Sequence, residues 1–137
     1  RKVAALLSWS IIKICQMNFA VVHPNDEEKF LTSLIAQFPI IANEVMDEDY
    51  KGLLHLQVGC LARYANILIR DSQLDELKRV FDFVQENIEQ VIPKIENALY
   101  VSFLEHVEMD GSSPIAQSAR QLLKPQYLEA WQKLRSC

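Results

Sequence analysis

Glycine is scarce: Gly52, Gly59 and Gly111 are the three in 137 residues. Folds built from many strands joined by tight turns need more residues that tolerate positive φ, so an all-β architecture is poorly supplied. Cysteine is equally sparse. Cys15, Cys60 and Cys137 are odd in number and far apart, with no C-x-x-C pair. That spacing suggests free thiols in a reducing cytoplasm, and neither a disulfide framework nor a zinc site. Positive charge is also in deficit, because 14 Lys and Arg face 18 Asp and Glu for a net charge of −4. Broad nucleic-acid binding needs clustered cations that displace counterions from phosphates, so direct contact with nucleic acid is not expected.

A long uninterrupted hydrophobic run is missing as well. Residues 3–22 begin like a signal peptide after Arg1 and Lys2, but Lys13, Gln16 and Asn18 break the apolar stretch and no clean small-x-small cleavage site follows. The same breaks argue against a membrane span, and an extra N-terminal helix over residues 1–24 is the expectation. Catalytic signatures are lacking too. His23, His55 and His106 form no H-x-x-x-H or H-E-x-x-H pair, and Ser102 has no G-x-S-x-G around it. Glu105 and His106 are neighbours in sequence, yet adjacent residues on a helix point about 100 degrees apart. An enzyme using that pair is the weakest reading, and no cofactor or metal is implied.

Half the residues are hydrophobic, and they recur with helical spacing. The densest stretch runs from Ile95 to Val107, with apolar side chains at 95, 98, 99, 100, 101, 103, 104 and 107. They cover most of a helix circumference, so this is expected to be a buried central helix, with Asn97, Ser102 and Glu105 close enough to the core to need hydrogen-bond partners. Upstream, Asn25 before Asp26, Glu27 and Glu28 reads as a capped helix start, and Phe30, Leu34 and Phe38 follow at helical spacing. Pro39 begins a kink or a new helix.

Tyr50 to Arg70 reads as one long helix. Gly52, His55, Gly59, Arg63, Asn66 and Arg70 form a single polar or small stripe among leucines and other apolar residues. The plain reading of that stripe is the helix's solvated strip. The sharper one is a partner groove lined by His55, Arg63 and Arg70. Ser72 with Asp75 resembles a capping box for the next helix, whose Leu74, Leu77, Phe81, Val84, Ile88 and Val91 form a clean apolar stripe. Pro93 fits a helix first turn, Asp110-Gly111 is a turn, Ser113-Pro114 restarts a helix, Lys124-Pro125 breaks it, and Leu128, Trp131 and Leu134 anchor the last one. The fold class is therefore all-α: a compact multi-helix bundle in one domain spanning residues 1–137, with an irregular HEAT-like or TPR-like stack of helical hairpins as runner-up.

Acidic residues are unevenly spread. Residues 26–49 hold seven against Lys29, and residues 71–110 hold ten against Lys78, Arg79 and Lys94. Such blocks are commonly solvated helix faces, and they are also what a basic protein partner would meet.

Several segments carry a resemblance. Residues 30–39 (FLTSLIAQFP), 52–64 (GLLHLQVGCLARY), 77–84 (LKRVFDFV) and above all 97–106 (NALYVSFLEH), with the tail at 127–134, are similar to an uncharacterised bacterial helical family over residues 26–135. That family is found among immunity proteins of polymorphic-toxin systems, including contact-dependent growth inhibition. The resemblance implies a cytoplasmic protein that binds the toxin domain of its cognate effector, often a nuclease, and blocks it stoichiometrically. The residues shared with the family, His55, Asn97, Ser102, Phe103 and Glu105, look mostly architectural. A nuclease toxin is basic near its nucleic-acid site, so the expected contact residues are acids, either Asp47, Glu48 and Asp49 or Glu86, Glu89, Glu108 and Asp110. The alternative is a helical adaptor or scaffold that binds a protein or peptide in the groove around residues 52–70.

Overall fold

Proline marks where several of the helices begin. In the computed structural model, which describes residues 26–136, α1 spans Asp26–Gln37 and a single 3-10 turn at Pro39–Ile41 leads into the short α2, Ala42–Val45. Then come α3 (Leu54–Arg70), α4 (Leu74–Ile88), α5 (Pro93–Ala98), α6 (Pro114–Gln121) and α7 (Pro125–Arg135). No strand occurs among the described residues. Pro39, Pro93, Pro114 and Pro125 all sit in a helix first turn, where the missing N–H has no intrahelical partner to lose. The all-α compact arrangement matches the sequence expectation. The N-terminal helix expected over residues 1–24 and the cap expected at Asn25 lie outside the described residues.

α4 behaves as its pattern requires. Leu77, Phe81, Val84 and Ile88 are buried, joined by Val80 and Phe83, while Asp75, Glu86 and Glu89 stay exposed. α3 and α4 pack against each other, and an aromatic seam closes the joint with α1. The Phe38 ring meets Phe83 edge-on at 5.5 Å between centroids, and Phe83 in turn lies 5.9 Å from Phe30. Arg79 covers the outside of that seam, its guanidinium carbon 4.6 Å from the Phe38 ring centre.

The stretch expected to be a uniform central helix is helical, but its winding changes twice. α5 opens into a π turn at Leu99–Phe103 and then tightens to a 3-10 turn at Leu104–His106. Each change rotates the side chains that follow, which lets Leu99, Phe103, Leu104 and Val107 all reach the core while Val101 is 38% exposed. Asn97, expected near the core, is exposed on regular α-helix ahead of the π turn, and its neighbour Glu96 is buried instead.

Two other local expectations are corrected. The helix expected from Tyr50 starts at Leu54, because Gly52 takes φ +79° and makes a turn there that a helix cannot contain. Ser72 does not cap α4: its own φ is +56°, Gln73 occupies the capping position, and no side chain bonds to the helix start. A residue in left-handed conformation faces away from the N–H groups that a cap must reach. α6, by contrast, starts where Ser113-Pro114 led one to expect it, and the Ser113 hydroxyl caps it by accepting from the Ala116 N–H at 3.2 Å.

Candidate functional site: a clasped cleft along α3

The exposed stripe of α3 forms one wall of a cleft of about 400 Å³. His55, Leu56, Gly59, Ala62, Arg63 and Asn66 line this wall, and Ser102, His106 and Glu108 line the other. Helical spacing of three and four residues puts the α3 members on one side. The opposite wall is the π turn and the chain that leaves it.

Two polar clasps join the walls. At one end, His55 Nδ1 and Ser102 Oγ share a hydrogen bond of 2.5 Å, and the imidazole tautomer decides which of them donates. At the other end, the Asn66 amide donates to the His106 carbonyl at 3.0 Å and accepts from the Glu108 N–H at 2.8 Å. The second wall is also held from behind. Trp131 donates to the Val107 carbonyl at 2.9 Å, Arg120 to the carbonyls of Met109 and Gly111, and Arg135 to the Glu105 carbonyl at 2.8 Å. A segment without regular structure has its backbone groups satisfied by side chains from α3, α6 and α7, which fixes it in place.

Arg63, at the edge of the cleft, reaches toward α2. Its Nε and Nη2 both donate to Glu44 Oε2, at 3.1 and 2.5 Å, and its guanidinium carbon lies 6.0 Å from the Tyr50 ring centre. Donation to Glu44 holds the Arg63 guanidinium even more firmly in its charged form. Beneath it, Cys60 is fully buried, and burial, with the nearby Glu44 carboxylate, pushes its thiol up to about 11. A thiol so slow to ionise is a poor nucleophile.

The contact between Ser102 and His55 was not visible as a pair in the sequence, since 47 residues separate them. Both were among the residues shared in the family resemblance, and that was the one signal available. A hydroxyl touching an imidazole is the first requirement of an activated serine. Ser102, however, lies inside a helical turn, where backbone N–H groups serve the helix itself rather than an oxyanion, unlike the free N–H beside a nucleophile on a sharp strand-to-helix turn. Its evident work is to tie the π turn to α3. Among the described residues no group of three or more His, Cys, Asp and Glu is placed to hold a metal ion, and no helix is long and apolar enough to cross a membrane.

The groove expected from sequence is therefore partly assembled: His55 and Arg63 line the cleft, whereas Arg70 is exposed at the end of α3 and does not. The acidic candidates separate into groups. Asp110 forms an ion pair with Arg135, Glu89 accepts from the Tyr127 hydroxyl at 2.9 Å, and Asp47 accepts from the Asp49 N–H at 2.8 Å. The carboxylates of Glu48, Asp49, Glu86 and Glu108 make no hydrogen bond or ion pair among the described residues. Glu86 lies on α4 and Glu89 just past its end, and neither lines the cleft. Asp47, Glu48 and Asp49 sit between Glu44 and Tyr50, both of which touch Arg63, so this acidic loop flanks the cleft. Sequence reasoning missed the exposed apolar side chains that lie to either side of this loop along the chain. Ile40, Met46, Leu53 and Leu56 are 74%, 48%, 50% and 45% exposed.

A family model described as a domain of unknown function (DUF7674) matches residues 31–136. No curated protein and no solved structure matches the chain significantly.

Proposed function

Given that the chain belongs to the DUF7674 family, for which no activity is defined, we propose that it is an immunity protein: it binds a cognate bacterial toxin domain in the cytoplasm, a basic nuclease being the expected partner, and neutralises it by stoichiometric complex formation. The reading begins from the resemblance of residues 26–135 to immunity proteins. Its structural support is one observation: exposed Met46 and Leu53 flank the acidic loop Asp47-Glu48-Asp49 along the chain, and Ile40 and Leu56, a few residues further out on either side, are exposed as well. Apolar side chains that can be desolvated, beside carboxylates of one sign, are the ingredients of a protein interface that docks on a basic surface. The acids would speed encounter and the apolar groups would slow release.

Co-expression with the toxin domain encoded next to the gene tests this directly. Growth is expected to be rescued and a one-to-one complex to be recoverable. Reversing Asp47, Glu48 and Asp49 to lysine is expected to cut the association rate at low ionic strength by roughly tenfold, with the effect shrinking as salt is raised. Failure to rescue growth with a folded protein overturns the reading.

The adaptor reading keeps one observation of its own, the cleft along α3, which has the size of a small-ligand or side-chain pocket. It predicts an unrelated neighbouring gene and a partner peptide that shifts signals from residues 55–66.

A further inference from the structure

The proposed function leaves residues 3–22 unused. Fifteen of these twenty side chains are apolar, and residues 1–25 as a whole carry Arg1, Lys2 and Lys13 but no Asp or Glu. All 18 acids of the chain lie from Asp26 onward. Leaving so many apolar groups in water is unfavourable, and the cations among them favour cover that is acidic.

A place with both properties lies where residues 1–25 join the fold. A groove of about 290 Å³ runs between the start of α1 and the junction of α4 with α5, lined by Asp26, Phe30, Asn87, Val91, Ile92 and Ile95 among others. Because the chain enters α1 through Asp26, the preceding residues reach the groove at its lip. Lys94 holds the two sides together through an ion pair with Glu27, and Val91 and Ile92 are only half-buried.

The same face of α5 continues past the groove, since Ile92, Glu96 and Tyr100 follow one another four residues apart. It ends in a buried polar cluster. Glu96 is 4% and Tyr100 6% exposed, and the Tyr127 hydroxyl donates to Glu89 at 2.9 Å. Burial, and then the Glu96 and Glu89 carboxylates, push the Tyr100 hydroxyl well above its ordinary value of 10.0; burial and the Glu89 hydrogen bond, with smaller effects of Tyr100 and Glu96, do the same to Tyr127. The four groups therefore share one place. The Tyr100 hydroxyl has no hydrogen-bond partner among the described residues, and an orphaned polar group at that depth is costly. Two carboxylates beside an orphaned phenol suit an ammonium group, whose three N–H donors can reach carboxylate and phenol oxygens together.

We infer that the groove and the cluster form one docking surface for the chain's own residues 3–22, with the apolar side chains that precede Pro24 in the groove and the Lys13 ammonium at Glu96 and Tyr100. The reach suffices. Thirteen residues separate Lys13 from Asp26, about 20 Å even when coiled as a helix, whereas Ile92 and Tyr100 are about 12 Å apart along α5. This surface is separate from the cleft along α3 and does not depend on a toxin partner. Its consequence is that a stretch which begins like a signal peptide is held by the domain rather than by a lipid bilayer.

Amide NMR and hydrogen exchange on the whole chain test it. A nitroxide is attached to Cys15 in the Cys137→Ser chain, Cys60 being buried and slow to ionise. Broadening is expected to be strongest at residues 91–100 and around 127. Ile92→Asp puts a carboxylate into the groove at the capping position of α5, where Asp is a favoured residue, so α5 should keep its exchange protection while residues 14–22 lose theirs by roughly tenfold. Lys13→Gln should lower protection of residues 8–18 by roughly tenfold, as loss of a charge-assisted hydrogen bond does. The same change made in Glu96→Gln should add little, because the two side chains are coupled. Vesicles of phosphatidylcholine and phosphatidylserine should leave the broadening pattern unchanged. The inference is overturned if broadening is strongest elsewhere, if Ile92→Asp leaves residues 14–22 as protected as before, if Lys13→Gln and Glu96→Gln act additively, or if the vesicles draw residues 3–22 away from α5.

Discussion

Helix α3 is joined to the rest of the molecule along two seams of opposite character. On the α1 and α4 side the joint is made of rings: Phe38 touches Tyr64 of α3 and Phe83 of α4, with centroids 6.3 and 5.5 Å away, and Arg79 closes the outside. On the side of the 102–108 segment, the exposed edge of the joint is fastened at two polar points, His55 with Ser102 and Asn66 with the backbone at 106 and 108, and stands open between them. Apolar contact is non-directional and fills space, so a seam built from it leaves no room. Hydrogen bonds hold at points, so a seam built from them can be rigid and still hollow. One helix thus serves both as a core element and as the wall of an open cleft.

The aromatic seam should be the costlier to break. Phe38→Ala removes a fully buried ring and the platform under Arg79, and is expected to destabilise the protein by about 3–5 kcal/mol in urea unfolding. If the loss is below about 1 kcal/mol, the ring contacts are not what binds α1 to α4. Breaking the polar clasp at Asn66 should cost less and act more locally. Asn66→Ala loses two hydrogen bonds to backbone groups that water can reach, about 1–2 kcal/mol, and amide exchange at Glu108 should speed up while exchange in α4 keeps its order. Equal acceleration in both regions would show that the clasp stabilises the whole fold rather than the cleft wall.

The rim of the aromatic seam is sensitive to pH. The Glu76 carboxylate accepts from Arg79 Nε and from the Tyr64 hydroxyl, each at 2.8 Å. Donation from Arg79 foremost, and then from Tyr64, holds the carboxyl below its ordinary value of 4.5. A depressed folded pKa contributes stability above the unfolded value and loses it as pH falls through the folded one. Glu76→Gln should therefore cost about 1 kcal/mol at neutral pH, and the difference from the parent should vanish in strong acid. At the alkaline end, burial and the Glu76 hydrogen bond push the Tyr64 hydroxyl from 10.0 up to about 12, so its contribution is complete below pH 10 and disappears as pH climbs past 12. Stability curves for Glu76→Gln that parallel the parent in acid would exclude this linkage. The smallest expected effect is a gain: Gly59→Ala should raise stability by about 0.5–1 kcal/mol, because the helix gains alanine's propensity and nothing in the fold is displaced. A loss instead would show that the cleft floor is under packing constraint.

The acidic residues show how far charge pattern alone could reach. Asp47, Glu48, Asp49, Glu86, Glu89, Glu108 and Asp110 are indistinguishable as surface carboxylates in sequence. The fold engages Asp110 with Arg135 and Glu89 with Tyr127, and it places Glu108 at the cleft and the Asp47–Asp49 loop beside it. Arg70 was drawn into the expected groove by its spacing from Asn66, but it falls at the helix end, past the reach of the opposing wall. Val101 shows the limit of a uniform helical wheel, which cannot foresee a π turn.

Local pattern determined the helices of this protein and much of what faces inward. A stripe such as Leu77, Phe81, Val84 and Ile88 is a property of one short segment, and the prolines at 39, 93, 114 and 125 set starts without reference to any distant residue. Tertiary structure alone decided that His55 meets Ser102 across 47 residues, that Asn66 grips the backbone 40 residues on, and that Gly59 lies open between them. The reason is physical. Which face of a helix is apolar follows from the 3.6-residue repeat of its own chain, whereas which polar groups meet depends on where two packed elements cross, and the core fixes that crossing from side chains elsewhere.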